Sequence, residues 1–152
     1  MRQKIPEILV KLEDKDYQTN WQEEVKIARE TIDQNMTEQA SIYGWYGVLA
    51  AMLDKVMGRK KLDLSVLEAE LYDSYKKEAL ETPGAKSTDT AIYSKVKQDE
   101  GFIAATLDLL EAKKNKGIFD AIVRSFEHRK EMLINLGAKY RKEMDGDVVF
   151  KK

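Results

Sequence analysis

The sequence predicts an all-α fold, a bundle of two long amphipathic helices and two shorter helices that assembles into an oligomer. Charged residues make up 35% of the 152 residues, which is typical of long helices with solvated outer faces. Only two prolines occur, so few positions force a helix to end. Apolar residues recur mainly at spacings of three and four, the period of an α-helix.

A short helix is predicted near the N-terminus, over about residues 6–14. Pro6 suits its first turn, because backbone N–H groups in that turn have no helical acceptor and proline, which lacks this group, loses no hydrogen bond there. A polar connector follows this segment. Thr19 or Asn20 is the expected N-cap of the next helix, since both side chains can accept a backbone hydrogen bond.

The first long helix is predicted over about residues 20–58. Two series of residues at seven-residue spacing interleave in steps of three and four, which is a heptad pattern. The polar Asn35 and Gln39 interrupt it, and polar residues on such a seam cost stability but can specify register or oligomeric state. The two series are Val25, Ile32, Gln39, Tyr46 and Leu53, and Ala28, Asn35, Ile42, Leu49 and Val56.

The second half of the chain predicts a shorter helix and then a long one. Gly58 is expected to end the first long helix, since glycine readily adopts the left-handed conformation found at helix C-termini. A helix over about residues 65–81 follows, and the Pro83–Gly84 pair indicates a turn. A long helical stretch then begins near Thr88, with a kink or interruption expected at residues 115–117.

One helical domain is predicted over residues 1–142, followed by a flexible tail over residues 143–152. The chain contains no cysteine, which fits a reducing compartment. Its apolar runs are shorter than the ~18–20 residues that a membrane-spanning helix needs, and the N-terminal run is too short for a signal peptide. These features predict a cytoplasmic protein that does not insert into a membrane.

An aromatic stretch, YGWYG at residues 43–47, is predicted to take part in packing or assembly. Trp45 begins a second apolar line beside the heptad seam, and so wide an apolar face needs more than one neighbour, from other copies or from the same chain. The two glycines cost about 1 kcal/mol each in a helix, so close approach of another helix is expected to compensate. The alternative is a platform for stacking bases. The predicted interface consists of Tyr43, Trp45, Tyr46, Val48 and Met52.

Catalytic and metal-binding chemistry has little support in the sequence. The single histidine, His128, lies three residues before Glu131, but helical metal sites with this spacing need partners from facing helices. A lone histidine among basic residues is expected at the surface. Neither a glycine-rich phosphate loop nor catalytically spaced carboxylates can be identified. The sequence therefore predicts a protein that is not an enzyme and has no cofactor or metal.

Basic clusters beside tyrosines favour binding to single-stranded DNA, because lysine and arginine can follow the phosphates while tyrosine rings stack on bases. The opposing interpretation is an ordinary solvated surface, since acidic residues lie among the same clusters and the net charge is −1. The residues predicted to contact nucleic acid are Arg59, Lys60, Lys61, Lys76, Lys77, Lys113, Lys114, Lys116, Arg124, Arg129 and Lys130.

Three segments in roughly the C-terminal 90 residues resemble the phage recombination mediator family, the UvsY-like proteins. LEAELYDSY at residues 67–75 is similar to the family's L-x-A-x-L segment followed by tyrosines. VKQDEGF at residues 96–102 is similar to the Asp-containing opening of its C-terminal helix. GIFDAIVRSFEHRKEM at residues 117–132 resembles its DAI segment followed by basic residues.

The resemblance implies a non-enzymatic accessory protein that forms homo-oligomeric rings and binds single-stranded DNA in the host cytoplasm. It also implies two protein partners, a RecA-type recombinase that is loaded onto DNA and the single-strand-binding protein that covers this DNA. The chain departs from the family at the two x positions of L-x-A-x-L, which are basic in the family and are Glu68 and Glu70 here. These glutamates cannot hold phosphate, so DNA contacts would have to come from the other basic residues.

A helical structural or adaptor protein is the second functional hypothesis. In this interpretation the apolar line formed by Trp45, Val48 and Met52 is the docking face for another protein, and DNA is not bound.

Overall fold

Helices dominate the structure, which confirms the predicted all-α bundle of long and short helices. A computed structural model describes residues 8–12, 15–85 and 88–149, with side chains from Tyr17 to Met144 apart from residues 29, 86 and 87. In chain order the elements are β1 (Ile8–Leu12), β2 (Lys15–Thr19), α1 (Trp21–Glu24), a short 3-10 turn (Arg29–Thr31), α2 (Ile32–Glu81), α3 (Asp89–Gln98) and α4 (Glu100–Val149).

The helix predicted over residues 6–14 is wrong in its described part. Strands β1 and β2 pair antiparallel, with Ile8 opposite Thr19 and Leu12 opposite Lys15. A short apolar run fits a helix or a strand equally well by periodicity, and here the pairing with a second strand decides between them. The remaining residues of that range lie outside the described part of the chain.

Helix α2 differs from its prediction at both ends. The chain forms the short α1 first and is extended at Ala28 before α2 begins at Ile32. The Tyr46 hydroxyl donates a hydrogen bond to Glu24 Oε2 at 2.7 Å, which ties the end of α1 to α2. The break predicted at Gly58 is absent, and the helix predicted over residues 65–81 is the last part of α2. A single glycine costs a helix only about 1 kcal/mol, which the apolar residues on either side of it can offset.

The second long helix is divided at Asp99, where the prediction had no break. Gly84 adopts a φ of 78°, which confirms the turn, and α3 and α4 then follow with Asp99 extended between them. The Asp99 carboxylate accepts the Phe102 N–H at 3.1 Å and the Tyr75 hydroxyl at 2.8 Å. Both hydrogen bonds lower the pKa of Asp99, and the bond from Tyr75 has the larger effect. The interruption predicted at residues 115–117 is wrong, since α4 is continuous there.

The described chain forms two compact units, each built from part of α2 and part of α4. The first unit comprises residues 1–52 and 118–152. In its core, the rings of Tyr46 and Phe126 stack with centroids 4.8 Å apart, and the centroid of the Phe119 ring lies 6.5 Å from that of Tyr46. Burial and the hydrogen bond to Glu24 raise the pKa of Tyr46 well above its usual value, so this phenol stays neutral in the folded protein.

The second unit comprises residues 53–117 and includes α3. Ion pairs between Lys60 and Asp108 at 3.0 Å, and between Lys116 and Asp54 at 3.8 Å, show that α2 and α4 run antiparallel here. The buried apolar residues of this unit are Leu53, Ala79, Ile92, Val96, Leu109 and Ala112.

The division into a domain over residues 1–142 and a tail over residues 143–152 stays a prediction. Helix α4 extends to Val149, and residues 150–152 lie outside the described part. Among the described residues, none of the helices has an apolar stretch long enough to cross a membrane. Oligomeric assembly also stays a prediction.

Candidate nucleic-acid and assembly surfaces

Arg129 is not a surface residue, so its predicted role as a phosphate contact is wrong. The side chain is 2% exposed and lies between α2 and α4 in the first unit. Its guanidinium donates to Asn35 Oδ1 at 2.6 Å and to the side-chain oxygen of Gln39. Gln39 in turn donates to the backbone carbonyl of Phe126 at 2.8 Å. Burial lowers the pKa of Arg129 while Glu38 and Glu24 oppose this shift, and the group stays charged at neutral pH.

The buried Gln39 and Arg129 and the half-buried Asn35 therefore form a polar layer. The two amides are the residues that interrupt the heptad pattern, and their partner lies more than 85 positions away in the chain. A layer of this kind restricts the register in which two helices can pack, because any shift leaves its polar groups unpaired.

The aromatic stretch at residues 43–47 divides between core and surface. Tyr46 is 1% exposed and packs within its own chain, so its assignment to an intermolecular interface is wrong. Tyr43 is half-buried and donates to Glu127 Oε1 at 2.8 Å. Apart from the chain neighbours and the adjacent backbone of α2 itself, no described atom comes within 4 Å of the Cβ that alanine would add at Gly44 or Gly47. Close approach of another helix of this chain therefore does not explain these glycines.

Trp45 and Val48 lie one turn apart on the surface of α2. They are 51% and 55% exposed, and Met52 is half-buried on the same side of the helix. The Tyr17 ring of β2 contacts the Trp45 ring with centroids 6.0 Å apart. We call Trp45, Val48 and Met52 the α2 apolar surface. It matches the second apolar line of the sequence analysis.

The other predicted basic residues lie at or near the surface. Lys60 and Lys116 are half-buried in ion pairs with Asp108 and Asp54. The exposed residues of the set are Arg59, Lys61, Lys76, Lys77, Lys113, Lys114, Arg124 and Lys130. Six of these eight belong to the second unit, which contains twelve basic and twelve acidic residues in total. This unit therefore offers local basic groups without a net positive charge.

A cluster of tyrosines and lysines in the second unit combines aromatic rings with positive charge. The rings of Tyr72 and Tyr93 lie 4.8 Å apart, and Tyr93 is 45% exposed. Lys76 Nζ lies 5.3 Å from the centroid of the Tyr72 ring, and Lys95 Nζ lies 5.6 Å from that of Tyr75. We call these five residues the tyrosine–lysine cluster. It is built where α3 folds back onto the end of α2.

Hydrogen bonds hold the Tyr72 and Tyr75 rings in place and keep these two phenols neutral. The Tyr72 hydroxyl donates to Asp89 Oδ1 at 2.6 Å, and this bond raises the pKa of Tyr72. The bond to Asp99 raises the pKa of Tyr75 in the same way. Lys76 donates to the Tyr72 hydroxyl at 3.4 Å, which raises the pKa of Lys76 and keeps it protonated.

Sequence reasoning found only part of this cluster. Lys76 was among the predicted contacts, whereas Tyr93 and Lys95 were missed, because they reach Tyr72 and Tyr75 only through the turn before α3. Tyr93 and Lys95 are two residues apart, and this spacing carries no helical pattern by itself.

A groove beside Tyr72 and Tyr93 is also lined by Glu68 and Asp73. The glutamate that departs from the mediator family therefore lies next to the cluster.

The His128 side chain is 77% exposed and its Nδ1 lies 3.6 Å from Glu131 Oε2, which confirms its predicted surface position.

Comparison of the whole chain with protein-family models, curated proteins and solved structures finds no match.

Proposed function

We propose that this protein is a non-enzymatic accessory protein that binds single-stranded DNA and mediates recombination. The tyrosine–lysine cluster is the observation that supports this proposal. It places the partly exposed Tyr93 ring against Tyr72, whose ring centroid lies 5.3 Å from the Lys76 amine, and it places the Lys95 amine 5.6 Å from the centroid of the Tyr75 ring. Rings that stack on bases and amines that pair with phosphates are the two elements of sequence-independent binding to single strands.

The balance of charge predicts weak binding by each copy. Glu78 lies 3.7 Å from Lys95, and Glu68 and Asp73 lie beside the rings, so the local potential is not strongly positive. An assembly that presents several clusters to one strand raises the effective concentration after the first contact and so gains affinity. Binding through an oligomer is therefore part of the proposal.

The resemblance to the phage recombination mediator family supplies the proposed cellular role. Such proteins help to load a RecA-type recombinase onto DNA that is covered by single-strand-binding protein. Glu68 occupies a position that is basic in the family, and it lines the groove beside Tyr93. Its carboxylate weakens phosphate binding at this place, so Lys76 and Lys95 would supply the contact.

Fluorescence anisotropy of a labelled single-stranded oligonucleotide tests the proposal. We expect binding that resists double-stranded competitor. If Lys76 and Lys95 neutralise about two phosphates, affinity should fall about sevenfold between 50 and 200 mM salt. Tyr93→Ala should weaken binding about fivefold or more through lost stacking, and Tyr93→Phe should not. Lys76→Glu should weaken binding, and Glu68→Lys should strengthen it.

Lys142→Glu is the matched control for Lys76→Glu, because it makes the same change of charge at an exposed position in the first unit. Circular dichroism checks that each variant is folded. An absence of binding at low salt, or equal losses for Lys76→Glu and Lys142→Glu, would contradict the proposed site.

An adaptor protein that acts through protein–protein contacts is the second candidate function. The α2 apolar surface favours it, since Trp45 and Val48 are large apolar side chains that remain half exposed beside Tyr17. An exposed apolar patch next to aromatic residues is typical of a protein-binding surface. In this function DNA binding is absent and the partner contacts Trp45.

A photo-crosslinking amino acid at position 48 tests the adaptor function in cells that make the protein. We expect one dominant crosslinked protein, which after purification binds the wild type and loses about tenfold or more in affinity for Trp45→Ser. The same crosslinker at Glu70, an exposed polar position of α2, is the control. Equal products from positions 48 and 70 would refute the α2 apolar surface as a docking site, as would unchanged binding of Trp45→Ser.

A further inference from the structure

An exposed apolar stripe runs along α4 within the second unit. Ile103, Leu107 and Leu110 are 45%, 60% and 53% exposed. Steps of four and three residues place them on one face of the helix. The same steps characterise the seam along which two helices pack. We call these three residues the α4 apolar stripe.

Charges of opposite sign flank the stripe at its two ends. Glu100 lies seven residues before Leu107 and Lys114 lies seven residues after it, and both side chains are exposed. Seven residues are close to two helical turns, so both charges lie on the face of Leu107 and about 10 Å from it along the axis. The stripe thus begins at a carboxylate, is apolar in the middle and ends at the Lys114 ammonium group, which also pairs with Glu111.

This arrangement is complementary to itself when its direction is reversed. We propose that a second copy of the chain docks antiparallel on the α4 apolar stripe, with a twofold axis near Leu107. The axis brings Glu100 opposite the partner's Lys114, and this pair occurs twice in the dimer. Parallel docking would place like charges opposite each other at both ends, which is unfavourable.

The apolar side chains fit the same axis. Ile103 and Leu110 lie four and three residues from Leu107, so the axis brings Ile103 to within one residue of the level of the partner's Leu110, with the partner's Glu111 next to that leucine. In the isolated chain Lys114 pairs with Glu111 at 2.6 Å, on the same exposed face. A second carboxylate from the partner subunit would therefore join an existing ion pair.

The dimer matters for DNA binding only if the proposed function is correct. A dimer of this kind carries two tyrosine–lysine clusters in one particle, since each copy brings its own second unit. One strand of DNA that contacts both clusters is held more tightly than by one. The docking of the two copies does not itself depend on DNA.

Analytical ultracentrifugation of the full chain, from micromolar to submillimolar concentration, tests the docking. We expect a reversible dimer in the wild type. Leu107→Glu should raise the dimer dissociation constant about tenfold or more, because it places two carboxylates at the axis. Leu62→Glu is the matched control, since Leu62 is 63% exposed in the same unit but lies on α2, and it should leave the dimer intact.

A charge exchange tests the direction of docking. Glu100→Lys and Lys114→Glu should each weaken the dimer about three- to tenfold, and the double variant should recover most of the wild-type affinity. This arm also covers the case in which Leu107→Glu fails to fold, which circular dichroism would reveal. A monomeric wild type would overturn the inference. Equal effects of Leu107→Glu and Leu62→Glu, or no recovery in the double variant, would do the same.

The two proposals can fail separately in the same set of proteins. A dimer that obeys these variants but binds no oligonucleotide would leave the docking in place and remove the DNA-binding function. A wild type that binds the oligonucleotide as a monomer, through Tyr93 and Lys76, would do the reverse.

Discussion

Phe126→Ala is expected to lower the free energy of unfolding of the first unit by about 3–5 kcal/mol. Phe126 is fully buried at 0% exposure, and its ring stacks on that of Tyr46 at 4.8 Å. The substitution removes buried apolar area and leaves a cavity between α2 and α4 that neighbours can fill only in part. The backbone carbonyl that accepts the Gln39 hydrogen bond remains, so the loss measures packing rather than this bond.

Urea unfolding followed by tryptophan fluorescence is the suitable measurement, because Trp21 and Trp45 both belong to the first unit. Ile134→Ala is the control, since Ile134 is on the same helix but 53% exposed, and it should change stability by less than about 0.5 kcal/mol. Equal losses for the two variants would show that Phe126 does not occupy the core.

Arg129→Ala is expected to destabilise the first unit by about 2–4 kcal/mol. The guanidinium donates hydrogen bonds to the side-chain oxygens of Asn35 and Gln39. Without it, these two oxygens lose their donor between the packed helices. The substitution also removes the packed methylene groups of the arginine. The same urea titration measures the effect, and Lys130→Ala, at the adjacent exposed position, should change stability by less than about 0.5 kcal/mol.

Replacing the whole polar layer separates hydrogen bonding from burial. A triple variant with Leu at positions 35 and 39 and Met at position 129 removes every polar side chain of the layer at once. It should recover most of the stability that Arg129→Ala loses, because no buried group is left unpaired. A stable Arg129→Ala protein with weakened DNA binding would instead return this arginine to a phosphate-binding role.

Much of the helical architecture was predictable, because it follows from local spacing. The seam through Tyr46, Leu49 and Leu53 is buried as the heptad pattern predicts. The Pro83–Gly84 turn is also where its residues indicate. Helix ends were predicted less well, since Gly58 continues α2 while Asp99 separates α3 from α4. The glycine cost of about 1 kcal/mol does not end α2. At Asp99 the Phe102 N–H and the Tyr75 hydroxyl of α2 both bind the carboxylate that begins α4.

The candidate surfaces were predictable where one helix carries all their residues. Trp45 and Val48 share one helix, so their spacing alone places them off the seam, and both are exposed. Arg129 had no such local indication, because its partners Asn35 and Gln39 come from a different helix. The tyrosine–lysine cluster was missed for the same reason, since it joins residues of α2 and α3.

The sequence by itself determined that the chain is helical, that Asn35 and Gln39 interrupt an apolar seam, and that a second apolar line lies beside it. These properties depend on which residues follow one another at the helical period. Only the tertiary structure decided that Arg129 fills the gap in the seam and that Tyr93 reaches Tyr72. The physical reason is that burial and hydrogen bonding are set by whichever segment packs opposite, and no local pattern contains that information.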